Sequence, residues 1–404
     1  MADPVRRMTL RPWMRDAATR RVMRALTTPD AAPRFVGGAV RDALLGRPPR
    51  EIDVGTPLTP DAVMQCLTAA GIRAVPTGVA HGTVTAVTPK QIFEITTLRR
   101  DVETDGRHAK VAFDADWEAD AQRRDFTMNA LSLDRRGRLY DYVGGVADLK
   151  AGRVRFVGDP ATRIREDVLR LLRYYRFFAY YGKGAGDRAA RAACRTAARL
   201  LPTLSAERVA AEILKLLAAP DPLPALRMMQ ADSVLKRLLP EAGGLTRLRR
   251  LVALEPEADP LRRLAALITR NAGAVAERLK LSGAQRDRLA ALLAKPAIAL
   301  DGDRPAQRHA LYCWGSPLYA DRVLLAAAAR NRPRRVRKLL ALARRWTSPR
   351  FPLRGRDLLA AGVAPGPKVG VLLSALEAWW IKGDFRATAV QCRAELRRRL
   401  APHG

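Results

Sequence analysis

The stretch that decides the fold is Phe35-Val36-Gly37-Gly38-Ala39-Val40-Arg41-Asp42. It predicts a short strand beginning at Arg34, a tight turn at the glycine pair, and a helix over Ala39–Leu45. Backbone amides at a helix N-terminus bind phosphate oxygens, and glycine lets a ligand approach closely. Gly38 and, one turn into the helix, Arg41 are therefore candidate phosphate-binding residues. The same pattern is also typical of a plain strand-to-helix turn, so the turn alone leaves both interpretations open.

An acidic pair follows the turn, in the segment Glu51-Ile52-Asp53. We expect a second strand over 51–54, in which Glu51 and Asp53 point to one face while Ile52 points to the core. Two carboxylates that converge beside a phosphate-binding turn suit Mg²⁺. Two solvated carboxylates on an exposed strand face are the commoner explanation of such a triplet, and the position just after the glycine turn favours the metal.

A third segment reads Arg123-Arg124-Asp125-Phe126-Thr127-Met128-Asn129-Ala130-Leu131. One interpretation is a helix start with Asp125 near its N-cap. Another assigns Arg124 to a triphosphate and Asn129 to the sugar or base. The spacing of these residues does not decide between the two.

The fourth segment, 166–176, has helical periodicity. Its predicted apolar stripe comprises Val168, Leu171, Leu172, Tyr175 and Phe178. The opposite side carries charges three residues apart: Asp167, Arg170, Arg173 and Arg176. For a single amphipathic helix, such a series is usually a solvated ladder of local ion pairs.

The N-terminal third predicts mixed α and β structure around these segments. A helix is expected over 12–27, and a second helix begins at Pro60 with Thr59 as N-cap and ends near Ala70. Val, Ile, Phe and Thr predict strands over 82–88 and 91–98. Residues 99–120 are charged and aperiodic, which predicts a mobile loop.

After about residue 160, Ala, Leu and Arg recur at helical periods, and Pro and Gly separate the helices. We therefore predict an α+β protein with three regions. Residues 1–150 form a head with a mixed sheet, 151–222 an all-helical neck, and 223–404 a helical body and tail.

The composition and charge of the chain restrict the possible classes of protein. The chain has 404 residues with 72 Lys and Arg against 40 Asp and Glu, a net charge of +32 that indicates a polyanionic partner. The four cysteines show no Cys-x-x-Cys spacing, which argues against a disulfide framework or zinc knuckle. The sequence shows no signal peptide and no apolar run of about 18 residues, so we expect a cytoplasmic protein.

The four segments together resemble one family: the bacterial tRNA nucleotidyltransferases that add CCA, with the related poly(A) polymerases, called class II in the DNA polymerase beta superfamily. The resemblance rests on their order and spacing, which are Gly-Gly-Ala-Val-Arg-Asp, acidic-x-Asp, Arg-Arg-Asp-Phe-Thr-Met-Asn-Ala-Leu and Glu-Asp-Val-Leu-Arg-Leu-Leu-Arg. It covers residues 34–240 and implies a nucleotidyltransferase head. The histidines form no His-Asp pair, so the phosphohydrolase domain fused to some members is not expected.

The resemblance also implies roles for individual residues. The incoming nucleoside triphosphate is expected to bind Gly38, Arg41, Arg124, Arg173 and Arg176. Glu51 and Asp53 fall on the catalytic, metal-binding pair, although the family usually has Asp where this chain has Glu51. Asp167 and Arg170 fall on the amino-acid template that reads the base, and Glu94 is a candidate third carboxylate.

The function that this resemblance implies is template-independent addition of CCA, or part of it, to tRNA 3′ ends. CTP and ATP would be the substrates, two Mg²⁺ ions would assist, and pyrophosphate would leave. Basic clusters in the helical region are expected to bind the tRNA: Arg247, Arg249, Arg250, Arg332, Arg334, Arg335, Arg337, Lys338, Arg397, Arg398 and Arg399. A poly(A) polymerase, or a catalytically silent RNA-binding protein with Glu51 in the metal pair, are the alternatives. The oligomeric state stays open.

Overall fold

The computed structural model describes residues 3–49, 51–78, 82–105, 108–113, 116–268 and 270–401. The chain divides into two compact units, residues 1–242 and 243–404. This division lies at a coarser level than the predicted head, neck and body, whose boundaries at 150 and 222 stay predictions.

Unit 1 holds the strands. Its elements up to the middle of the sheet are β1 (Arg6–Arg7), α1 (Pro12–Arg15), α2 (Ala17–Ala25), β2 (Arg34–Val36), α3 (Gly37–Leu44), β3 (Ile52–Thr56), α4 (Pro60–Ala69), β4 (Arg73–Gly78), β5 (Thr83–Val87) and β6 (Ile92–Thr97). Its next elements are β7 (Arg99–Asp105), β8 (His108–Phe113), α5 (Trp117–Gln122), a 3₁₀ turn (Thr127–Asn129), β9 (Ser132–Asp134), β10 (Arg138–Tyr140) and α6 (Gly145–Ala151).

Helices complete the chain. Unit 1 ends with α7 (Pro160–Glu166), α8 (Leu169–Tyr181), α9 (Arg188–Ala197), a 3₁₀ helix (Ala198–Thr203), α10 (Ala206–Leu217), α11 (Leu223–Ala231) and α12 (Val234–Leu238). Unit 2 contains α13 (Thr246–Leu254), α14 (Pro260–Leu267), α15 (Ala272–Arg278), α16 (Gly283–Leu293), α17 (Arg304–Arg330), a 3₁₀ helix (Pro333–Arg335), α18 (Val336–Arg345), α19 (Gly355–Ala360), α20 (Pro367–Lys382) and α21 (Ala389–Leu400).

The described strands form one mixed sheet in the order β1-β10-β9-β2-β3-β6-β5-β4, with β7 and β8 as a separate antiparallel hairpin. Strands β3 and β6 run parallel, while β2 pairs antiparallel with both β3 and β9. Phe35, Val54 and Ile95 are buried in the core that the sheet shares with the surrounding helices. The predicted α+β class with an all-helical C-terminal part is confirmed.

The predicted start of α4 is confirmed, whereas the predicted N-terminal helix is not. Helix α4 begins at Pro60, and the Thr59 hydroxyl accepts a hydrogen bond from the Ala62 amide at 3.4 Å, as expected of an N-cap. The single helix predicted over 12–27 is wrong. Asp16 has extended backbone and separates α1 from α2, and its carboxylate caps α2 by accepting from Ala18 at 2.8 Å.

The loop predicted over residues 99–120 is also wrong as secondary structure. Strands β7 and β8 pair there, from Arg99 opposite Phe113 to Asp105 opposite His108, and α5 follows. Charged residues are depleted in strands, so this composition hid the hairpin from sequence analysis.

Candidate active site

The glycine turn joins β2 to α3 and lies at the centre of the site. Gly37 has φ +63°, a left-handed conformation that glycine adopts without strain. A Cβ on Gly37 would lie 3.3 Å from Nη1 of Arg124 and 3.4 Å from Oδ2 of Asp53. A Cβ on Gly38 would lie 3.4 Å from Nη2 of Arg41. The turn therefore brings a carboxylate and two guanidinium ends close to the glycine backbone, at a distance that a side chain on Gly37 would crowd.

The predicted acidic pair is only partly on a strand. Asp53 is half-buried in β3, whereas Glu51 is exposed and immediately precedes that strand, so the strand predicted over 51–54 begins one residue too early. Asp53 is the register partner of Glu94 in the parallel strand β6. Burial, with Glu94 and Glu51, raises the pKa of Asp53 to about 6, although Arg124 and Arg41 oppose this. The strand edge thus carries excess negative charge.

No group of three or more His, Cys, Asp or Glu side chains among the residues with described placement is arranged to hold a metal ion. Glu94 therefore gains no support as a third ligand, and its role stays a prediction.

Arg124 is held by a carboxylate that sequence reasoning missed. Asp120 in α5 accepts from Nε and Nη2 of Arg124 at 3.0 and 2.9 Å, and it also pairs with Arg123. Burial raises the pKa of Asp120, but Arg124 and Arg123 outweigh burial and leave that pKa below its ordinary value. The four-residue spacing between Asp120 and Arg124 was the available signal. With these two nitrogens engaged, Nη1 remains beside Gly37.

Arg41 is buried and similarly fixed. Its Nη1 donates to the side-chain oxygen of Asn129 at 2.7 Å, and its Nε donates to Asp42 at 3.0 Å. The Nη2 of Arg41 faces Gly38. Asn129, predicted as a sugar or base ligand, also donates to Asp125 at 3.0 Å and so links two parts of the site.

Helix α8 supplies the other predicted phosphate ligands. Arg173 donates from Nε to Asp125 at 2.8 Å, and Arg176 forms an ion pair with Glu212 of α10 at 3.0 Å. Burial raises the pKa of Asp125, but Arg173 and the hydrogen bonds from Asn129 and the Phe126 amide outweigh burial and lower it. These partners lie far away in sequence, so the ladder of local ion pairs does not describe this part of α8.

The predicted base-reading pair lies at the start of α8. Arg170 donates to Glu166 and to the carbonyl of Arg163, the latter at 3.1 Å. Asp167 is not on the helix, because α8 begins at Leu169 and Asp167 has extended backbone. Its Oδ2 accepts from Arg208 of α10 at 2.8 Å, and its Oδ1 accepts from the Leu169 amide at 3.1 Å.

The arrangement can bind a polyphosphate beside a carboxylate. Asp53, Arg41 and Arg124 converge on the glycine turn, while Arg173 and Arg176 extend the cationic surface along α8. None of the helices that the structure describes is long and apolar enough to cross a membrane.

Two protein-family models match the N-terminal part of the chain and define the class of the protein. Residues 33–155 match the family model described as the poly A polymerase head domain, and residues 187–244 match one described as the probable RNA and SrmB-binding site of polymerase A. The head is thus a nucleotidyltransferase domain of the type found in CCA-adding enzymes and poly(A) polymerases.

Individual relatives define the family. The chain is 36% identical over 369 residues to CCA tRNA nucleotidyltransferase 1, mitochondrial, of Danio rerio, which covers 87% of this chain and 84% of that protein. It is 42% identical over 188 residues to the CCA-adding enzyme of Anoxybacillus flavithermus, 46% of each chain. The crystal structure of the Bacillus stearothermophilus CCA-adding enzyme in complex with CTP superposes with a TM-score of 0.81 at 28% identity, covering 97% of this chain and 98% of that one. The chain belongs to the CCA tRNA nucleotidyltransferase family.

Proposed function

We propose that this protein adds C, C and A to the 3′ end of tRNA from CTP and ATP, without a nucleic-acid template. The observation that carries the proposal is the 36% identity that extends along 84% of the Danio rerio CCA tRNA nucleotidyltransferase. Similarity of that extent includes the helical part of the chain as well as the head. Because that relative is mitochondrial by name, a cytoplasmic location stays a prediction.

The triphosphate binds at the glycine turn and along α8. Nη2 of Arg41 lies beside Gly38, and Nη1 of Arg124, which also donates to the carbonyl of Asn129 at 3.5 Å, lies beside Gly37. A phosphate can approach the glycine backbone closely there. Arg176 engages Glu212 through its buried Nε, 3.0 Å from Oε2, and neither atom has a hydrogen-bond partner among the described residues. The terminal nitrogens of Arg176 would donate to a triphosphate oxygen, and charge-assisted contacts of this kind are strong.

Asp53 and Glu51 fit Mg²⁺. The raised pKa of Asp53 reflects burial and two neighbouring carboxylates, and a divalent cation would relieve this charge. When bound, the metal supplies activation of the RNA 3′-hydroxyl and stabilisation of the departing pyrophosphate. The protein itself contributes the carboxylates that fix the metal position and the arginines that hold the triphosphate.

Asp167 and Arg170 read the base. Asp167 uses one lone pair on each oxygen, so each oxygen can still accept from an exocyclic amino group. Arg170 uses only Nη1, and in the described structure its Nε and Nη2 have no hydrogen-bond partner. Cytosine and adenine both present an amino donor beside a ring-nitrogen acceptor, which this pair complements.

The tRNA requires a basic surface in addition to the nucleotide-binding residues. The segment at the start of α18 is the best exposed of the predicted clusters: Arg332, Arg334, Arg335, Arg337 and Lys338 are all exposed. Within it, Arg335 forms a solvent-exposed ion pair with Asp301 at 3.1 Å. Arg398 and Arg399 instead share one buried carboxylate, that of Glu395, and Arg250 contacts backbone carbonyls of Ala328 and Ala329. A basic segment of this kind suits a duplex arm read through its phosphates.

One assay tests the proposed activity against its alternatives. The protein is incubated with a tRNA transcript that lacks its 3′ CCA, Mg²⁺, CTP and ATP, and the products are resolved at single-nucleotide length. Extension by three nucleotides supports the proposal. A long adenylate tail would identify a poly(A) polymerase, and binding without extension would identify a silent RNA-binding protein. Extension by fewer than three nucleotides would identify partial addition.

A further inference from the structure

One aromatic ring lies at the centre of the proposed triphosphate-binding arginines. Phe177 of α8 is 7% exposed. The centroid of its ring lies 5.4 Å from Cζ of Arg41, 5.6 Å from Cζ of Arg173 and 4.7 Å from Cζ of Arg176. All three distances are within the range of about 6 Å in which a guanidinium is attracted to a ring.

The ring itself is fixed by its neighbours. Phe126 packs against it with centroids 4.9 Å apart, and Tyr181 with centroids 5.9 Å apart. Phe126 belongs to the Arg-Arg-Asp-Phe segment, so two of the sequence motifs meet at this contact. The ring of Phe177 is thereby held in one place relative to both motifs.

Arg176 carries its charge beside two like charges, those of Arg173 and Arg41. Burial lowers the pKa of Arg176, Glu212 opposes this, and the like charges of Arg173 and Arg41 lower it further. Each guanidinium also has an oxygen partner, namely Glu212, Asp125 or Asn129. Among the described rings, that of Phe177 is the one that lies within cation–π range of all three, and the ring of Tyr181, which packs against it, lies 4.3 Å from Cζ of Arg41.

We propose that Phe177 is a positioning residue for the triphosphate, an inference that rests on the proposed function of this site. Its ring holds Arg41, Arg173 and Arg176 in the orientation that a triphosphate requires, and so reduces the conformational freedom that these side chains lose on binding. A branched aliphatic side chain fills similar space without the quadrupole. Because Phe177 acts on phosphate ligands alone, it affects every nucleotide equally.

The test compares two neighbouring phenylalanines. Phe177→Leu is the variant, and Phe178→Leu is the control, since Phe178 is buried on the same helix and no described arginine or lysine lies over its ring. We expect Phe177→Leu to weaken the binding of tripolyphosphate, measured by calorimetry, about tenfold, equivalent to about 1.4 kcal/mol. The KM values for CTP and ATP rise by a similar factor, whereas base preference and the KM for tRNA stay unchanged. Phe177→Tyr, which keeps the ring, restores binding.

A second measurement decides the case in which Phe177→Leu does not fold. Phenylalanine analogues with one, two and three ring fluorines at position 177 keep the shape of the ring and weaken its π-face stepwise. Tripolyphosphate affinity should fall with each fluorine at position 177 and stay constant at position 178. Equal effects of the leucine variants, or a flat fluorine series, would overturn the inference.

These outcomes are separate from the test of the activity. Tripolyphosphate binding is measured without RNA, so a parent protein that fails to extend tRNA overturns the proposed function and leaves the role of Phe177 measurable. A parent protein that adds CCA while the fluorine series stays flat overturns only the role of Phe177.

Discussion

Replacing Asp167 should relax base selection without abolishing the reaction. Uracil and guanine present a carbonyl acceptor beside an N–H donor, so they set acceptor against acceptor at Asp167 and donor against donor at Arg170. Asp167→Ala removes one of these two conflicts. Asp167→Asn should relax the selection against uracil and guanine more than Asp167→Ala does. Its side-chain amide adds a donor that can face a carbonyl, while the remaining oxygen can still accept from the Leu169 amide.

The magnitude follows from the hydrogen bonds. A buried polar group left without a partner costs about 1 to 3 kcal/mol, so Asp167→Ala should reduce the preference for CTP over UTP by about 5- to 150-fold. The loss of the hydrogen bond from the Leu169 amide costs about 1 kcal/mol of stability. The ion pair with Arg208 contributes at most about 1 kcal/mol, because that arginine is 30% exposed. The variant should therefore remain folded.

The assay is single-turnover incorporation of each of the four nucleotides by each variant, with thermal unfolding as the control for folding. Arg173→Ala is the matched comparison. It removes a proposed phosphate ligand, so it should weaken the binding of all four nucleotides alike. If Asp167→Ala and Arg170→Ala both retained the base preference of the parent, the junction between α7 and α8 would not read the base.

Three further predictions concern the metal pair, the RNA surface and acid stability. Asp53→Ala should remove turnover and leave tRNA binding nearly intact, because RNA affinity comes from basic residues elsewhere; a parallel loss in filter binding and kinetics would contradict this. Changing Arg334, Arg335 and Arg337 to Gln should flatten the slope of log affinity for tRNA against log salt concentration by about 0.9 per lost phosphate contact. The same change should raise the KM for tRNA but not the KM for CTP. An unchanged slope would show that these arginines are solvated and do not contact phosphates. Since Arg124 and Arg123 hold the pKa of Asp120 below 3.8, its ion pairs stabilise the fold above that pH and are lost as the pH falls through the depressed pKa. Asp120→Asn should therefore lower the urea midpoint of unfolding at pH 7, and the midpoint of the variant should fall less steeply in acid than that of the parent protein. If the midpoints of the two proteins fell in parallel with pH, Asp120 would not stabilise the fold through its ion pairs.

Sequence analysis predicted the head because its elements depend on local signals. The Gly37-Gly38 pair marks a turn that needs positive φ, and Thr59-Pro60 marks a helix start. The β7–β8 hairpin was missed although Asp105-Gly106 is a turn signal in the sequence, because the flanking residues are charged and do not read as strands. The break at Asp16 was hidden as well, because apolar residues keep helical spacing on both sides of it.

Motif resemblance selected the site residues, but it did not predict their partners. Arg124 was assigned from its segment, and Asp120 was accessible only through its spacing of four residues. Glu212, which pairs with Arg176, carries no signal in the sequence, because α8 and α10 meet only through tertiary packing. Motif analysis therefore gives the ligand-binding ends of the side chains, and the fold determines how each is held.

The order of residues on α8 indicates how one helix can serve both ends of a nucleotide. Arg170 lies at its start with a local partner, Glu166, whereas Arg176 lies six residues later with a distant partner, Glu212. Six residues rise about 9 Å along a helix, and each three-residue step turns back by about 60°. The proposed base-reading group and the proposed phosphate-binding group are thus separated by rigid backbone. Because Asp167 and Arg176 both pair with residues of α10, through Arg208 and Glu212, that helix would fix the two proposed sites relative to each other.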